Sequence, residues 1–480
     1  MRHPSTLLLC ALLALPTPPV MAQSLSLPDL GDPSRQYISA GDERRLGRAV
    51  VARLRQQGLI AEDPLLGEYL NSVGQRLAVQ AGRSDHPYNF FMVLEPSINA
   101  FAAPGGFIGI HSGLLLATRS ESELAGVLAH EIAHVSQRHI ARSIAAARRM
   151  SLPMAAAMIA SILLAAADGQ AGQAALAGTM AYGSQQRIDF TRANEQEADR
   201  IGGQILDRSG FDPSGMADFF ARLERLQGGF GAQIPAFLLT HPLPRERLAD
   251  AQGRLENSGS RGHGSSRDYY LARARLQALS ADNVSALIER LETTLASGDY
   301  PDPAAERYAY ALALRRAGRL DEAAAQIERL LAGDRDRLAY RIEAAELALA
   351  RGREAEAWRR FEEARRLFGD DFALAMHYGQ ALATRGDPHQ AMKVLQPHLS
   401  RRDDFPALFT VYAQAARRAG NPSATHAAMA EYFFLNGDLE QAISQAELGL
   451  RAAGITPYRR ALLEDRLQVF KAERQRREDL

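Results

Sequence analysis

SESELAGVLAHEIAHVSQRH, residues 120–139, is the stretch on which the reading of this chain turns. Ser120 followed three residues later by Glu123 is a capping box, the start signal of a helix. Leu124, Val127, Leu128, Ile132 and Val135 then recur at helical spacing and predict its buried stripe. On such a helix His130 and His134 stand four residues apart, so both imidazoles project from one face with Glu131 beside them. Two imidazoles able to share one ion, next to a carboxylate, point to zinc-assisted hydrolysis. Zinc tolerates an open tetrahedral site and brings bound water to a pKa of about 7, from which Glu131 could take a proton. His139 falls out of line with the pair on a continuous helix and reads as ordinary surface.

A third protein ligand is needed, and no histidine follows at the spacing that metzincins use. Residues 194–199, Asn-Glu-Gln-Glu-Ala-Asp, offer three carboxylates on a helix expected over 193–206. Glu195 and Asp199 share a face by their four-residue spacing, so one can bind the ion while the other supports it from behind; Glu197 points elsewhere. The plain alternative is a solvated acidic face. The only cysteine is Cys10, near the N-terminus. Thiolate ligands and disulfides are therefore excluded from the folded part, and one zinc ion per chain, Zn2+, would fall to His, Asp and Glu.

At 480 residues the chain predicts two or three domains. Lys+Arg and Asp+Glu number 56 each, and this balance gives no reason to expect nucleic acid. Arg2 and His3, an apolar run over 7–15, a proline break and Val20-Met21-Ala22 make 1–22 a signal peptide, cleaved on export. Residues 43–57 and 63–80 read as amphipathic helices. Residues 88–94 and 100–110 read as strands, the second bent or bulged at Pro104-Gly105-Gly106. The nearly continuous apolar segment 152–181 reads as a buried helical hairpin, with a peripheral membrane contact as the sharper reading. A turn at Phe211-Asp212-Pro213 and a helix over 243–255 complete a first domain, 23–255. Residues 256–268, rich in Ser and Gly, read as a linker. Beyond it Gly318, Gly352, Gly386 and Gly420 recur every 34 residues, the period of tetratricopeptide repeats. Ala323, Ala357 and Ala391 follow the first three by five residues, so 269–480 is expected to be an α-solenoid.

His-Glu-x-x-His followed by Glu195-x-x-Ala198-Asp199 resembles the metallopeptidase family of the CAAX-prenyl proteases, HtpX and their soluble periplasmic relatives. Asn99-Ala100-Phe101-Ala102 with Gly105-Gly106, Gly113-Leu114-Leu115, and Ala198-Asp199 with Gly202 extend the resemblance over residues 41–255. It implies a mainly α fold: a zincin-type α+β metallopeptidase domain with a small sheet, followed by the solenoid. It implies His130, His134 and Glu195 as ligands, Glu131 as general base, and Asp199 as the residue orienting one of the histidines. Unlike the membrane members, this chain has no span of sufficient length beside the motif. Thr240-His241-Pro242 with Arg247 is similar to the His-Pro-…-Arg segment of the soluble relatives. By that likeness His241 can reach the zinc and hold the site latent, with Arg247 as transition-state or structural partner; an ordinary turn before a helix is the plain alternative. The strand through Asn99, Ala100 and Phe101 is expected as an edge on which a peptide is laid across the zinc. The function expected is a periplasmic zinc endopeptidase acting on misfolded or stalled envelope polypeptides, supporting outer-membrane β-barrel assembly, its repeats docking substrate or the assembly machinery. The alternative is a chaperone or scaffold working through its repeats over a latent zinc site; an amidase is a weaker third reading.

Overall fold

The computed structural model describes residues 38–82, 84–148, 185–227, 235–242, 245–256, 262–402 and 404–478; the leader at 1–22 and the apolar segment 152–181 lie outside the described residues. Two helices come first. In α1 (Ala40–Gln56) the N-cap Ser39 accepts from the Asp42 N–H and Asp42 returns the bond. In α2 (Pro64–Gln80) the cap is Asp63, which accepts from the Leu66 N–H.

A sheet of three strands follows: β1 (Asn89–Val93), β2 (Ala100–Ala103) and β3 (Phe107–His111). Their order is β1-β3-β2, with β1 parallel and β2 antiparallel to β3. The single bent strand expected over 100–110 is thus a hairpin. Gly105 and Gly106 hold φ of 76° and 85°, a pair of left-handed residues that reverses the chain where a bulge would only bend it. β2 lies at the sheet edge. The His111 N–H donates to the Asn99 carbonyl at 3.0 Å, and alternation then points the peptide groups of Ile98, Ala100 and Ala102 away from β3. Asn99 and Phe101 turn theirs inward, toward β3.

After the short α3 (Ser112–Ala117) comes α4 (Glu121–Ser136), the helix of the quoted stretch, buried from Glu121 through His134. Ser120 caps the Glu123 N–H, but the Glu123 carboxylate passes over Ser120 and takes the Arg119 N–H at 2.8 Å. The chain continues through α5 (His139–Arg148), α6 (Gln185–Arg208), α7 (Ser214–Gln227), α8 (Ala236–Thr240) and α9 (Arg245–Glu256). Helices α7 and α8 have no counterpart in the sequence reading, although Met216, Phe219, Phe220 and Leu223 of α7 are core residues. Close packing around α4 depends on missing side chains. A Cβ on Gly202 of α6 would stand 3.0 Å from the His130 backbone nitrogen, and one on Gly215 would stand 2.2 Å from the Ser122 carbonyl oxygen.

The rest is a stack of helix pairs beginning at α10 (Arg267–Ser280). The pairs Pro303–Arg316 with Leu320–Gly333, Leu338–Ala350 with Glu354–Phe368, Phe372–Arg385 with Pro388–Leu395, and Pro406–Arg418 with Pro422–Leu435 each turn at one of the four periodic glycines. Gly318, Gly352 and Gly420 hold positive φ, while Gly386 does not; its Cβ position is closed by Leu382 and Trp358. Ala323, Ala357 and Ala391 are fully buried where paired helices approach. The solenoid folds back onto α1 and α2. Arg275 holds Asp63, Arg402 pairs with Glu68, and Arg55 donates to the Leu435 carbonyl at 3.2 Å. The second half of the expected linker is pinned as well: Ser266 donates to the Glu121 carboxylate from both its N–H and its hydroxyl.

Candidate metal centre

Backbone-to-backbone packing of α6 on α4 at Gly202 brings the acidic turn of α6 over the two histidines. His130 Nε2 and His134 Nε2 face each other at 3.0 Å. Glu195 places one oxygen 3.4 Å from His130 Nε2 and the other 3.5 Å from His134 Nε2. His241, the residue that ends α8, brings Nδ1 to 3.3 Å from His130 Nε2 and to 3.1 Å from both Glu195 oxygens. One donor atom from each of these four residues lies within 4.8 Å of the other three. A tetrahedral ion with bonds of about 2.0–2.1 Å separates its donors by roughly 3.4 Å, so the pairs at 3.0–3.5 Å are spaced as zinc would need them. Donor atoms converging in this way can hold a cation among them.

The other structural requirements are met around the cluster. Asp199 Oδ1 stands 3.0 Å from His130 Nδ1, the ring nitrogen turned away from the cluster. Its approach is oblique to the N–H direction, so charge holds this pair more than a straight hydrogen bond does. Arg247 grips Asp199 with two bonds of 2.6 and 2.8 Å, reaches Glu195 at 3.0 Å and donates to the Pro242 carbonyl. Burial alone would depress His130, but Asp199 and Glu195 outweigh it and push its pKa up to about 9. Burial and the neighbouring histidines hold His134 well below the usual range. Burial would raise Glu195, yet His241, His134 and His130 hold it well below the usual carboxylate range. Glu131 is fully buried, and neither of its oxygens accepts a hydrogen bond. His241 Nε2 stands 3.4 Å from it, so one imidazole spans the space between the general-base candidate and the ligand set.

Every residue singled out at the motif therefore meets at one point, together with Asp199, His241 and Arg247. Asn99, Ala100 and Phe101 lie just before and within β2, which packs on α4. The Phe237 N–H donates to the outward carbonyl of Ile98 at 3.0 Å, and the Phe237 ring stacks on His241 at 4.7 Å. One reading is corrected: His139 is not surface. It is 3% exposed, with Nδ1 2.9 Å from His134 Nδ1 and Nε2 3.1 Å from Glu197. The cause is a helix break. α4 stops at Ser136, and Arg138, with φ 53°, is the one described non-glycine residue in the left-handed region. It is anchored by ion pairs to Glu43 of α1 and to Asp85. Counting along an unbroken helix could not reveal that turn.

A buried pair of helical histidines, a carboxylate from a second helix close to both, and a buried glutamate whose oxygens accept no hydrogen bond form an arrangement suited to a metallopeptidase. The chain belongs to peptidase family M48, whose description matches residues 64–255. It is 38% identical over 427 residues to the beta-barrel assembly-enhancing protease of Escherichia coli (strain K12), covering 89% of this chain and 87% of that one. The protein of the same description from Yersinia pestis is 36% identical over 422 residues, 88% and 86% of the two chains. The Metalloprotease LoiP of Escherichia coli is 28% identical over 174 residues, 36% of this chain and 65% of the relative. No helix among the described residues is long and apolar enough to cross a membrane.

Proposed function

We propose that this metallopeptidase is a zinc endopeptidase of the periplasm, exported by residues 1–22, that cleaves misassembled envelope polypeptides and serves outer-membrane β-barrel assembly. The carrying observation is the convergence of His130, His134, Glu195 and His241 beside the hydrogen-bond-free carboxylate of Glu131. The names of the relatives support the substrate class. His130, His134 and Glu195 would hold the ion, which when bound makes water acidic and polarises a carbonyl. Glu131, desolvated and without a hydrogen bond, takes the proton from the attacking water and delivers it to the leaving amine. Asp199 and Arg247 keep His130 turned toward the ion. A substrate strand pairs with the outward peptide groups of β2, which line up backbone rather than side chains and so favour little sequence selectivity. His241 occupies the space the water needs, and with it in place the site is latent. Residues 269–480 would dock substrate or the assembly machinery. The test is metal content together with cleavage of casein or an unfolded β-barrel protein by wild type and by Glu131→Gln. Bound zinc in both with cleavage only by wild type is expected; cleavage retained by Glu131→Gln sinks the mechanism.

A further inference from the structure

The two histidines of the motif are braced differently. His130 leans on Asp199, and Asp199 is held by Arg247. His134 has no carboxylate against its outer nitrogen; it has another imidazole. We propose that His139 and Glu197 are positioning residues for His134, forming a two-step relay that does for this ligand what Asp199 does for His130. This inference rests on the zinc reading given above.

Hydrogen-bond direction carries the argument. With His134 Nε2 turned to the ion, its proton sits on Nδ1, which donates to His139 Nδ1 at 2.9 Å. His139 Nδ1 must then be the acceptor, so the His139 proton sits on Nε2. That atom faces Glu197 Oε2 at 3.1 Å, a carboxylate oxygen that can only accept. Each link fixes the next, and one tautomer of each ring satisfies the whole chain. Arg142 donates to the same Glu197 oxygen at 2.9 Å and closes the relay as Arg247 closes the other. The parallel extends to burial, since His139 is buried as deeply as the ligands although it reaches no ion. A hydrogen-bond acceptor behind a ligating histidine fixes ring orientation and raises its basicity. The left-handed turn at Arg138 is what carries His139 back beneath His134.

The test measures zinc affinity of the full chain by competition with a chromophoric chelator, in a Glu131→Gln parent that cannot turn over substrate. His139→Leu removes both links, and a loss of roughly 10- to 100-fold in affinity is expected, as for other partners of metal-bound histidines. His139→Asn keeps an acceptor for His134 and restores most of that loss. Glu197→Leu, which leaves the His139 Nε2–H without its acceptor, gives a smaller loss of the same sign. The cobalt-substituted protein should show shifted d–d bands in the Leu variant and parental bands in the Asn variant, a signature that a mere packing role would not produce. A Leu variant binding zinc within twofold of the parent overturns the relay. Should that variant fail to fold, Glu197→Leu decides alone, and affinity within twofold of the parent overturns it equally. A parent that binds no zinc removes the metal reading itself, and the relay with it.

Discussion

Replacing Arg247 by methionine removes the counter-charge from two buried carboxylates at once. Arg247 is 2% exposed, Glu195 4% and Asp199 2%, so solvent cannot take its place. It makes two short bonds to Asp199, a contact of 3.0 Å to Glu195 and a bond to the Pro242 carbonyl. Breaking one side of a buried ion pair destabilises by about 3–5 kcal/mol, because the remaining charge is stranded. At about 2–4 °C per kcal/mol for a domain of this size, the peptidase transition of the metal-free protein should fall by roughly 6–20 °C. Differential scanning calorimetry in the presence of a chelator reads this directly. Arg247→Lys keeps the charge but not the fork, and should lose distinctly less. Adding Asp199→Asn to Arg247→Met neutralises the stranded carboxylate and should recover much of the loss. A fall below about 2 °C for Arg247→Met would refute the reasoning, since it would mean the carboxylates find compensation elsewhere.

Other expectations are simpler. Gly202→Val should part α6 from α4, lower stability by about 1–3 kcal/mol and weaken zinc binding, measurable by urea unfolding and chelator competition. His241→Ala should raise basal cleavage of an unfolded protein without lowering zinc occupancy, and wild-type turnover in that variant would remove the latency idea. Burial pushes the pKa of His111 down to about 4, with its Nε2 left without a partner. Its folded pKa lies below the unfolded value of about 6.5, so the unfolded chain binds the extra proton; stability is intact above pH 6.5 and lost as pH falls toward 4. At pH 5 the loss is about 2 kcal/mol, and His111→Asn should flatten stability across that window in urea titrations at successive pH values.

Which parts of the centre could be read from sequence follows from how each residue is held. His130 and His134 share one unbroken helix with Glu131 beside them, and Glu195 and Asp199 share another, so four-residue spacing alone puts each pair on a common face. The repeats were legible for a similar reason, because a left-handed turn at Gly318, Gly352 and Gly420, and a closed Cβ position at Gly386, select glycine at a fixed period. His139 was not, because its direction is set by one left-handed arginine whose anchors, Glu43 and Asp85, are distant in sequence. The hairpin of β2 and β3 reads as one strand until two successive positive φ values are known to reverse it. Helix α7 hides behind the turn at Asp212-Pro213, although Phe219, Phe220 and Leu223 carry helical spacing that could have found it.

The bond from the Phe237 N–H to the Ile98 carbonyl has a consequence for how a polypeptide gains access. On the proposed edge-strand reading, an extended chain that pairs only with Ala100 and Ala102 would leave α8 seated and His241 in place. One that continued to Ile98 would compete for a carbonyl already taken, and would have to draw the buried Phe237 ring from its packing on Phe219 and His241 before His241 could move. A protein hydrogen bond is worth only about 0.5–1.5 kcal/mol net, and burial of a phenylalanine about 1.5–3 kcal/mol more, so several strand bonds acting together would be needed to tip the exchange. Occupancy of the last outward carbonyl would then count how many residues of a client are unfolded at once. A short frayed end and a long unravelled strand would be told apart without reading a single side chain.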